Sequence, residues 1–403
     1  MSLFKQKINI KEILGHIPDE ALDRISIESE VDRYCKKLNG KLMFYLLLLG
    51  LLSSERQSQR GLAELFTSPF FRFLFHWNEK KKISHSSISE RLSNINVSFF
   101  EQVYQLIYDR FSALYSLKEI EGMSLQRVDS TLVREGSNLL KEGLSCGSKK
   151  EKKMLKYTIN YDGMFPSFFK LHREAVYCSE VVSLNENVFD HFQKTKDHSQ
   201  VYLFDRGQCS AHCFKDMQEK DGLFFVGRLQ KNRKLKIVKE HPIDKGSFSH
   251  GELILDATVN LHCIEKDKEN GKEKKYWMNQ EFRVIKFRPV NGMEDIILIS
   301  NMDWGAEQIA TAYRRRWDIE VFFRFIKQEL NFSHFFSLND NGIEVTLYMT
   351  MIAAMLVMIY KKENELGYKA AVRRIRIELE EIVIELLRVE ILYRERLKYP
   401  PDI

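Results

Sequence analysis

The chain has 403 residues, which is enough for two or three domains of about 150 residues each. Hydrophobic residues make up 44% and aromatic residues 12% of the sequence, and this composition excludes an intrinsically disordered protein. The net charge is +6 and the pI is about 8.8, which indicates an acidic partner but excludes a protein as basic as a histone.

Residues 1–120 carry the spacing of helices. Apolar residues recur at helical intervals in Ile8–Ile13, Ala21–Leu38 and Leu42–Leu52, and these runs predict a helical N-terminal region. A plain helical bundle and a helix pair that presents basic residues to an anionic partner both fit the pattern.

From about residue 121 the pattern changes to strands. Gln126–Val133 is a β-rich run that contains Asp129, and Leu155–Tyr161 and Phe165–Leu171 are two further runs. The last two are separated by Asp162-Gly163, residues that tolerate the positive φ angles of a tight turn. The three runs predict one strand followed by a β-hairpin.

A second set of elements follows the hairpin. Val182–Lys194 has helical spacing, and the apolar run Val201–Phe204 predicts a buried strand with Asp205 at its carboxyl end. A helix over about 209–220 then leads to another apolar strand, Leu223–Val226. The order strand, hairpin, helix, strand, helix, strand is that of a ribonuclease-H-like α/β fold.

In a ribonuclease-H-like fold the first and fourth strands are neighbours, so Asp129 and Asp205 are predicted to lie side by side. Ligands of open α/β sheets gather at such strand ends. Two neighbouring carboxylates repel each other unless a divalent cation lies between them, so the pair indicates a metal site.

Residues 234–294 interrupt the α/β pattern. Four short alternating runs predict a small β-rich insertion; they are Leu253–Thr258, Asn260–Ile264, Lys275–Met278 and Phe282–Phe287. Asp295–Ser300 then returns to a buried strand. We expect the α/β domain to extend over 121–335 with this insertion inside it.

A single helix is predicted over residues 313–327, and its polar stripe has an unusual content. The stripe consists of Tyr313, Arg316, Glu320, Arg324 and Lys327. One interpretation is a ladder of ion pairs, because Arg316 and Arg324 lie four residues on either side of Glu320. The other is that Glu320 binds a metal while Tyr313, Arg316 and Lys327 hold phosphates that flank it. Spacing by itself leaves both open.

The region 336–403 is also predicted to be helical. Ile343–Tyr360 has the length of a membrane span, but it contains Glu344 and little anchoring at its start, so we predict a buried helix and no membrane association. The six cysteines show no pairing rhythm and a signal peptide is lacking, which predicts a cytoplasmic protein with reduced thiols.

These residues together resemble a known family, the DDE transposases of bacterial insertion sequences. The IS-four branch of that family has the signature Tyr-x2-Arg-x3-Glu-x6-Lys. The signature is matched at every spacing by Tyr313, Arg316, Glu320 and Lys327. Asp129 in Arg-Val-Asp-Ser-Thr resembles the first Asp of the family, and Asp205 in Leu-Phe-Asp-Arg-Gly resembles the second.

The resemblance implies a metal-dependent DNA enzyme. Asp129, Asp205 and Glu320 would hold two Mg²⁺ ions, with Mn²⁺ as a substitute, for phosphoryl transfer at the ends of an insertion sequence. Such an enzyme cleaves strands and transfers them to a target. The implied partners are double-stranded inverted-repeat ends and target DNA, bound by a homodimer, and the implied location is the bacterial nucleoid.

The resemblance also implies particular DNA contacts. They are Tyr313, Arg316, Lys327 and Arg228, and Arg324 on the same polar stripe is a further candidate for DNA binding. The region 1–120 is expected to bind DNA ends and the region 336–403 to dimerise. Relatives carry a Trp that stacks on a flipped base where this chain has Asp295, so Trp277 and Trp304 are candidate substitutes, although core positions are the simpler expectation for both.

Two other functions remain open from the sequence. A non-catalytic DNA-binding protein derived from a transposase would not need Asp129, Asp205 and Glu320 together. Another ribonuclease-H-like nuclease, such as a junction resolvase, would not need Tyr313 and Arg316 at their spacing from Glu320.

Overall fold

The structure is a computed structural model of the chain, and it divides into two compact units. Its described residues are 8–53, 58–75, 82–115, 117–134, 144, 154–205, 210–243, 246, 248–266, 273–290, 292, 294–332 and 334–398. Arg206 and Gly207, and Cys209 at the start of a predicted helix, lie outside them. The sheet unit comprises Tyr115–Arg134 and Gly143–Phe323. The helical unit comprises Met1–Leu114, Glu135–Glu142 and Arg324–Ile403.

The elements are numbered in chain order. The helices are α1 (Ile10–Gly15), α2 (Asp19–Glu28), α3 (Gly40–Leu52), α4 (Gln59–Thr67), α5 (Pro69–Leu74), α6 (His85–Asn94), α7 (Val97–Tyr115), α8 (Glu180–Thr195), α9 (Ala211–Gln218), α10 (Ala306–Arg314), α11 (Asp318–Glu329), α12 (Asp340–Glu363) and α13 (Tyr368–Lys398). The strands are β1 (Ser124–Arg134), β2 (Met154–Tyr161), β3 (Pro166–His172), β4 (Gln200–Phe204), β5 (Phe224–Arg228), β6 (Leu235–Glu240), β7 (Gly251–Lys266), β8 (Glu273–Pro289) and β9 (Ile296–Ser300).

The helical unit is built around two apolar helices, α3 and α12. In α3 nearly every residue from Leu42 to Leu52 is buried, so this helix needs neighbours on all sides. The helix α12 packs against both α3 and α6. Asn341 in the first turn of α12 donates hydrogen bonds to the carbonyls of Leu92 and Ile95, which ties α12 to the end of α6.

The helix α12 has the length and apolar composition of a segment that could cross a membrane. Within its most apolar window, however, 89% of the residues are buried inside the protein. The run Ile343–Tyr360 is therefore a buried helix, as predicted from its sequence.

All nine named strands form one sheet, in the order β3-β2-β1-β4-β5-β9-β8-β7-β6. The strands β1, β4 and β5 are parallel, and β2 and β3 are antiparallel to their neighbours. This arrangement of the first five strands is the ribonuclease-H-like order, so the predicted fold is confirmed. The hairpin turn between β2 and β3 is also confirmed, because Gly163 has a φ of +94°.

The two faces of the sheet are covered by different helices. Val128 on β1 and Phe204 on β4 belong to the apolar cluster that includes residues of α8 and α9. Leu125 and Leu203, which alternate with them along the same strands, belong to the cluster that includes Ile309 of α10. Because side chains alternate along a strand, every second residue of β1 and β4 faces α10.

The β-rich insertion extends the same sheet. It contains β6 and a hairpin of two long strands, β7 and β8, where four short runs were predicted. The pairing of β7 with β8 shifts between Leu253 and Leu255 and between Asn260 and His262. These bulges interrupt the alternation of side chains without ending the strands, which is why the sequence resembled shorter segments.

The stretch 313–327 is not one continuous helix. The helix α10 ends at Arg314, a 3₁₀ turn covers Arg315–Trp317, and α11 begins at Asp318. The prediction of a single helix is wrong at this turn. A 3₁₀ turn advances about 120° per residue where an α-helix advances about 100°, so three residues change the direction of the stripe by about 60°.

Candidate active site

Asp129 and Asp205 lie at the same level of neighbouring strands. The parallel pairing of β1 with β4 aligns Leu125 with Val201 and Arg127 with Leu203. If this register is continued for two residues, Asp129 falls opposite Asp205, which directly follows β4, and parallel neighbours are about 4.8 Å apart. Both side chains alternate in step with Leu125 and Leu203, so they belong to the face that α10 covers. Both aspartates are partly exposed.

Tyr313 of α10 contacts Asp205 directly. Its hydroxyl donates a hydrogen bond of 2.9 Å to Oδ1 of Asp205. Burial, and next the charge of Asp205, raise the pKa of Tyr313, so the phenol keeps its proton. The positive charges of Arg316 and of Arg228, which ends β5, act on the pKa of Tyr313 in the opposite direction.

Arg316 contacts Glu320. Its Nη2 lies 2.7 Å from Oε1 of Glu320, and the side chain of Arg316 is only 11% exposed. This contact is one pair of the ion-pair ladder that the spacing allowed, and the short i,i+4 path between the two residues is the physical reason. The guanidinium also lies 5.7 Å from the ring centroid of Tyr313. Burial alone lowers the pKa of Arg316, but the neighbouring Tyr313, Glu320 and Asp205 outweigh it and raise that pKa.

These contacts form a chain from one carboxylate to another. Asp205 accepts from Tyr313, the ring of Tyr313 lies near Arg316, and Arg316 pairs with Glu320. Arg324 and Lys327 follow on α11 and are exposed. Within the sheet unit these contacts join Asp205, Tyr313, Arg316 and Glu320, and the pairing of β1 with β4 places Asp129 on the strand beside Asp205.

Residues 121–356 match the family described as Transposase DDE domain. The chain belongs to this transposase family. The match covers more than half of the chain, and it includes the two strands with Asp129 and Asp205 as well as α11 with Glu320.

Two relatives of this transposase domain are similar to parts of the chain. The putative transposase y4zB of Sinorhizobium fredii is 31% identical over 166 residues, which is 41% of this chain and 44% of that protein. The probable transposase for insertion sequence element IS5377 of Geobacillus stearothermophilus is 25% identical over 277 residues, 68% of this chain and 67% of that protein.

Among the solved structures that match this chain is one of a transposase. It is the cryo-EM structure of piggyBac transposase in a synaptic complex with hairpin DNA. The TM-score is 0.45 and the sequence identity 13%, with 98% of this chain and 83% of that chain covered.

The donor chemistry of the DDE domain fits a divalent cation. Asp129, Asp205 and Glu320 offer carboxylate oxygens, which are the ligands that Mg²⁺ and Mn²⁺ prefer. One hydrogen bond to Asp205 or Glu320 does not use up the acceptor capacity of a carboxylate. Among the described residues, however, no three His, Cys, Asp or Glu side chains converge closely enough to hold one ion.

The two tryptophans considered for base stacking differ in burial. Trp304 is 4% exposed and belongs to the core beside α10, which confirms the core expectation for it. Trp277 is 40% exposed on β8 and meets His262 edge-on at 5.2 Å, so the core expectation is wrong for this residue.

Arg127 is a site-adjacent residue that the sequence prediction missed. It lies two positions before Asp129 on the same face of β1, and it is 1% exposed. The sequence did contain a sign of its role, because Arg127 is a positively charged residue at an inward-facing position of a predicted strand. A buried charge is costly unless it is paired, so a partner could have been expected.

Proposed function

We propose that this transposase cleaves DNA at the ends of an insertion sequence and transfers the freed strands to target DNA. The observation that carries the proposal is the shared register of Asp129 and Asp205, on the sheet face covered by the α10–α11 segment that bears Glu320. Membership of the transposase DDE domain family supports the same reaction. It favours transposition over junction resolution, which was an alternative from the sequence.

In this proposal Asp129, Asp205 and Glu320 hold two Mg²⁺ ions, and Mn²⁺ is a substitute. When bound, such ions activate a water or a 3′-hydroxyl and stabilise the oxygens of an in-line phosphoryl transfer. The chain's own task is to place the three carboxylates next to one another. The strand register does this for the two aspartates.

Tyr313 and Arg316 act on the carboxylates in this proposal. The protonated phenol of Tyr313 donates a hydrogen bond to one oxygen of Asp205. This bond fixes the orientation of the Asp205 carboxylate. Arg316 does the same for Glu320 and adds positive charge where phosphate oxygens approach. Both residues are also proposed to contact phosphates of the DNA ends.

The remaining parts bind and organise the DNA. Arg228, Arg324 and Lys327 are proposed to contact phosphates. The helical region 1–120 is proposed to bind inverted-repeat ends and the region 336–403 to dimerise the protein on two ends. The α/β domain 121–335 performs the reaction, with 234–294 as its insertion, in the cytoplasm and at the nucleoid of a bacterium.

The test is cleavage of DNA that carries the inverted repeats flanking the gene, with and without Mg²⁺. We expect Asp129→Asn, Asp205→Asn and Glu320→Gln each to reduce cleavage by at least about 100-fold, since each removes a charged metal ligand. These near-isosteric variants preserve shape, so binding to the repeat ends should remain measurable in a gel-shift assay.

Glu329→Gln at the end of α11 is a suitable control, because it removes one carboxylate from the same helix outside the proposed triad. Its cleavage rate should match that of the original protein. Full cleavage by any one of the three variants would contradict the assignment of Asp129, Asp205 and Glu320 as metal ligands. Repeat binding without any Mg²⁺-dependent cleavage by the original protein would support the non-catalytic alternative.

A further inference from the structure

The guanidinium of Arg127 connects the strand of Asp129 to the turn that precedes Glu320. Its Nη1 and Nη2 each lie 2.6 Å from an oxygen of Glu119, which makes a bidentate pair. Nη1 also donates to the carbonyl of its own strand neighbour Leu125 at 2.7 Å. These three bonds fix the side chain to the sheet.

The other two N–H groups reach the 3₁₀ turn and the start of α11. Nε donates to the carbonyl of Arg315 at 3.2 Å, and Nη2 donates to Oδ2 of Asp318 at 3.0 Å. Arginine has five N–H donors, so every donor of Arg127 is used. Asp318 is the first residue of α11 and lies two positions before Glu320.

The surroundings of Arg127 restrict its position further. Gly163, in the β2–β3 turn, leaves room for the guanidinium, because a Cβ at that position would lie 2.8 Å from Nη1. Phe322 of α11 stacks on Tyr161 of β2, with ring centroids 5.1 Å apart. The start of α11 is thus held to the sheet by one polar and one aromatic contact.

We propose that Arg127 is a positioning residue that holds the 3₁₀ turn Arg315–Trp317 and thereby sets where Glu320 lies relative to Asp129. The inference rests on the proposed function, because the position of Glu320 matters only if it acts together with Asp129. Because a 3₁₀ turn and not a continuous α-helix separates Tyr313 from Glu320, a side chain that holds this turn can set the position of Glu320.

The main test variant is Arg127→Lys. Lysine keeps the positive charge for Glu119, but its single nitrogen has three donors and cannot reproduce the fork that reaches Arg315 and Asp318. We expect cleavage at saturating DNA to fall roughly 10- to 100-fold, as for a small misplacement of a catalytic group. Half-maximal cleavage should require more Mg²⁺, while binding to the repeat ends should be unchanged.

A second readout does not depend on activity. Hydrogen–deuterium exchange of the amides in residues 313–320 should be faster in Arg127→Lys than in the original protein, because the turn loses its anchor. Asp318→Ala should have the same effects at smaller size. Its side chain is 40% exposed, so this variant is expected to fold even if Arg127→Lys does not.

Arg283→Lys is the matched control. Arg283 makes a bidentate pair with the buried Asp256 in the same unit, at 2.6 and 2.9 Å, but on the β7–β8 hairpin. Its replacement should lower the melting temperature without changing exchange in 313–320 or the Mg²⁺ requirement. A merely structural role of Arg127 predicts the same behaviour for both variants.

Folded Arg127→Lys or Asp318→Ala with original exchange and original cleavage would overturn the inference. That result differs from a failure of the proposed function. In the latter case the original protein would not cleave its ends, or Glu320→Gln would still cleave them. An active original protein, inactive triad variants and unaffected Arg127→Lys and Asp318→Ala would reject only the positioning role.

Discussion

At the residue scale, two members of the Tyr-Arg-Glu-Lys signature contact acidic side chains. Tyr313 donates to Asp205 and Arg316 donates to Glu320, both within hydrogen-bond distance. The i,i+4 spacing of Arg316 and Glu320 allows this contact on one helix face, and each donor lies near the acid that it is proposed to orient. The proposed phosphate contacts of Tyr313 and Arg316 stay a prediction.

Tyr313→Phe tests the contact with Asp205. The ring and its packing are retained, but the carboxylate loses a hydrogen bond of the kind that contributes about 1.5–3 kcal/mol when one partner is charged. We expect the rate of end cleavage to fall by about 10- to 100-fold, since each 1.4 kcal/mol corresponds to about a factor of ten. The rate is measured under single-turnover conditions.

Tyr276→Phe is the control for this change. Tyr276 donates a similar bond of 2.6 Å to Glu265, on the β-rich insertion. Its loss should leave cleavage unchanged. Equal rates for Tyr313→Phe and the original protein would show that Asp205 does not depend on the phenol.

At the scale of elements, strand register decides where the two aspartates lie, and bulges decide how long the strands of the insertion are. The parallel pairing of β1 with β4 aligns the aspartates, and bulges in β7 allow long strands to continue into the insertion. The start of β7 depends on Gly251, which has a φ of +137°. A Cβ there would lie 2.0 Å from the carbonyl oxygen of Arg288 on the paired strand.

Gly251→Ala should therefore destabilise the sheet unit. The strained backbone alone costs about 1–3 kcal/mol, and the clash with a backbone atom adds to it because β8 cannot move away cheaply. Gly122→Ala is the matched control, since Gly122 also has a positive φ, of +78°, but a Cβ there meets nothing within 4 Å. Denaturant unfolding should show the larger loss for Gly251→Ala. Equal losses in the free energy of unfolding would mean that the backbone at the start of β7 moves to accommodate the added Cβ.

At the scale of the whole molecule, the family match extends from the sheet unit into the helical unit. It ends at residue 356, within α12. The helix α11 likewise contributes Glu320 to the sheet unit and Lys327 to the helical unit. The exposed cations of α11, Arg324 and Lys327, are proposed to contact the DNA.

Lys327→Ala and Arg324→Ala should weaken binding to the repeat ends and flatten its salt dependence. Each lost phosphate contact should change the slope of log K against log salt by about 0.9, because fewer counterions are released. The slope is obtained from binding titrations at several salt concentrations. Lys220→Ala, at an exposed position after α9, should leave it unchanged. An unchanged slope for Lys327→Ala and Arg324→Ala would favour an ordinary solvated helix face.

Much of the fold was predictable from local patterns. The apolar runs of β1, β4 and β5 and the Asp162-Gly163 turn indicated the strand order, because burial and turn chemistry act over a few residues. The 3₁₀ turn at Arg315–Trp317 was not predictable from the sequence. It rotates the helix face by only about 60°, and the apolar residues of α10 and of α11 keep their own helical spacing on either side of it. Arg127 was missed because its acidic partners are not its neighbours along the strand.

By itself, the sequence determined that Asp129 lies in a strand, that Asp205 follows a strand and that Glu320 lies on a helix, and how the three are spaced along the chain. The tertiary structure decided which donor meets which carboxylate. Arg127 and Asp318 are 191 residues apart in the chain and 3.0 Å apart in space. Hydrogen bonds weaken within fractions of an ångström, whereas the apolar patterns that direct folding tolerate larger shifts, so only the folded chain could assign these partners.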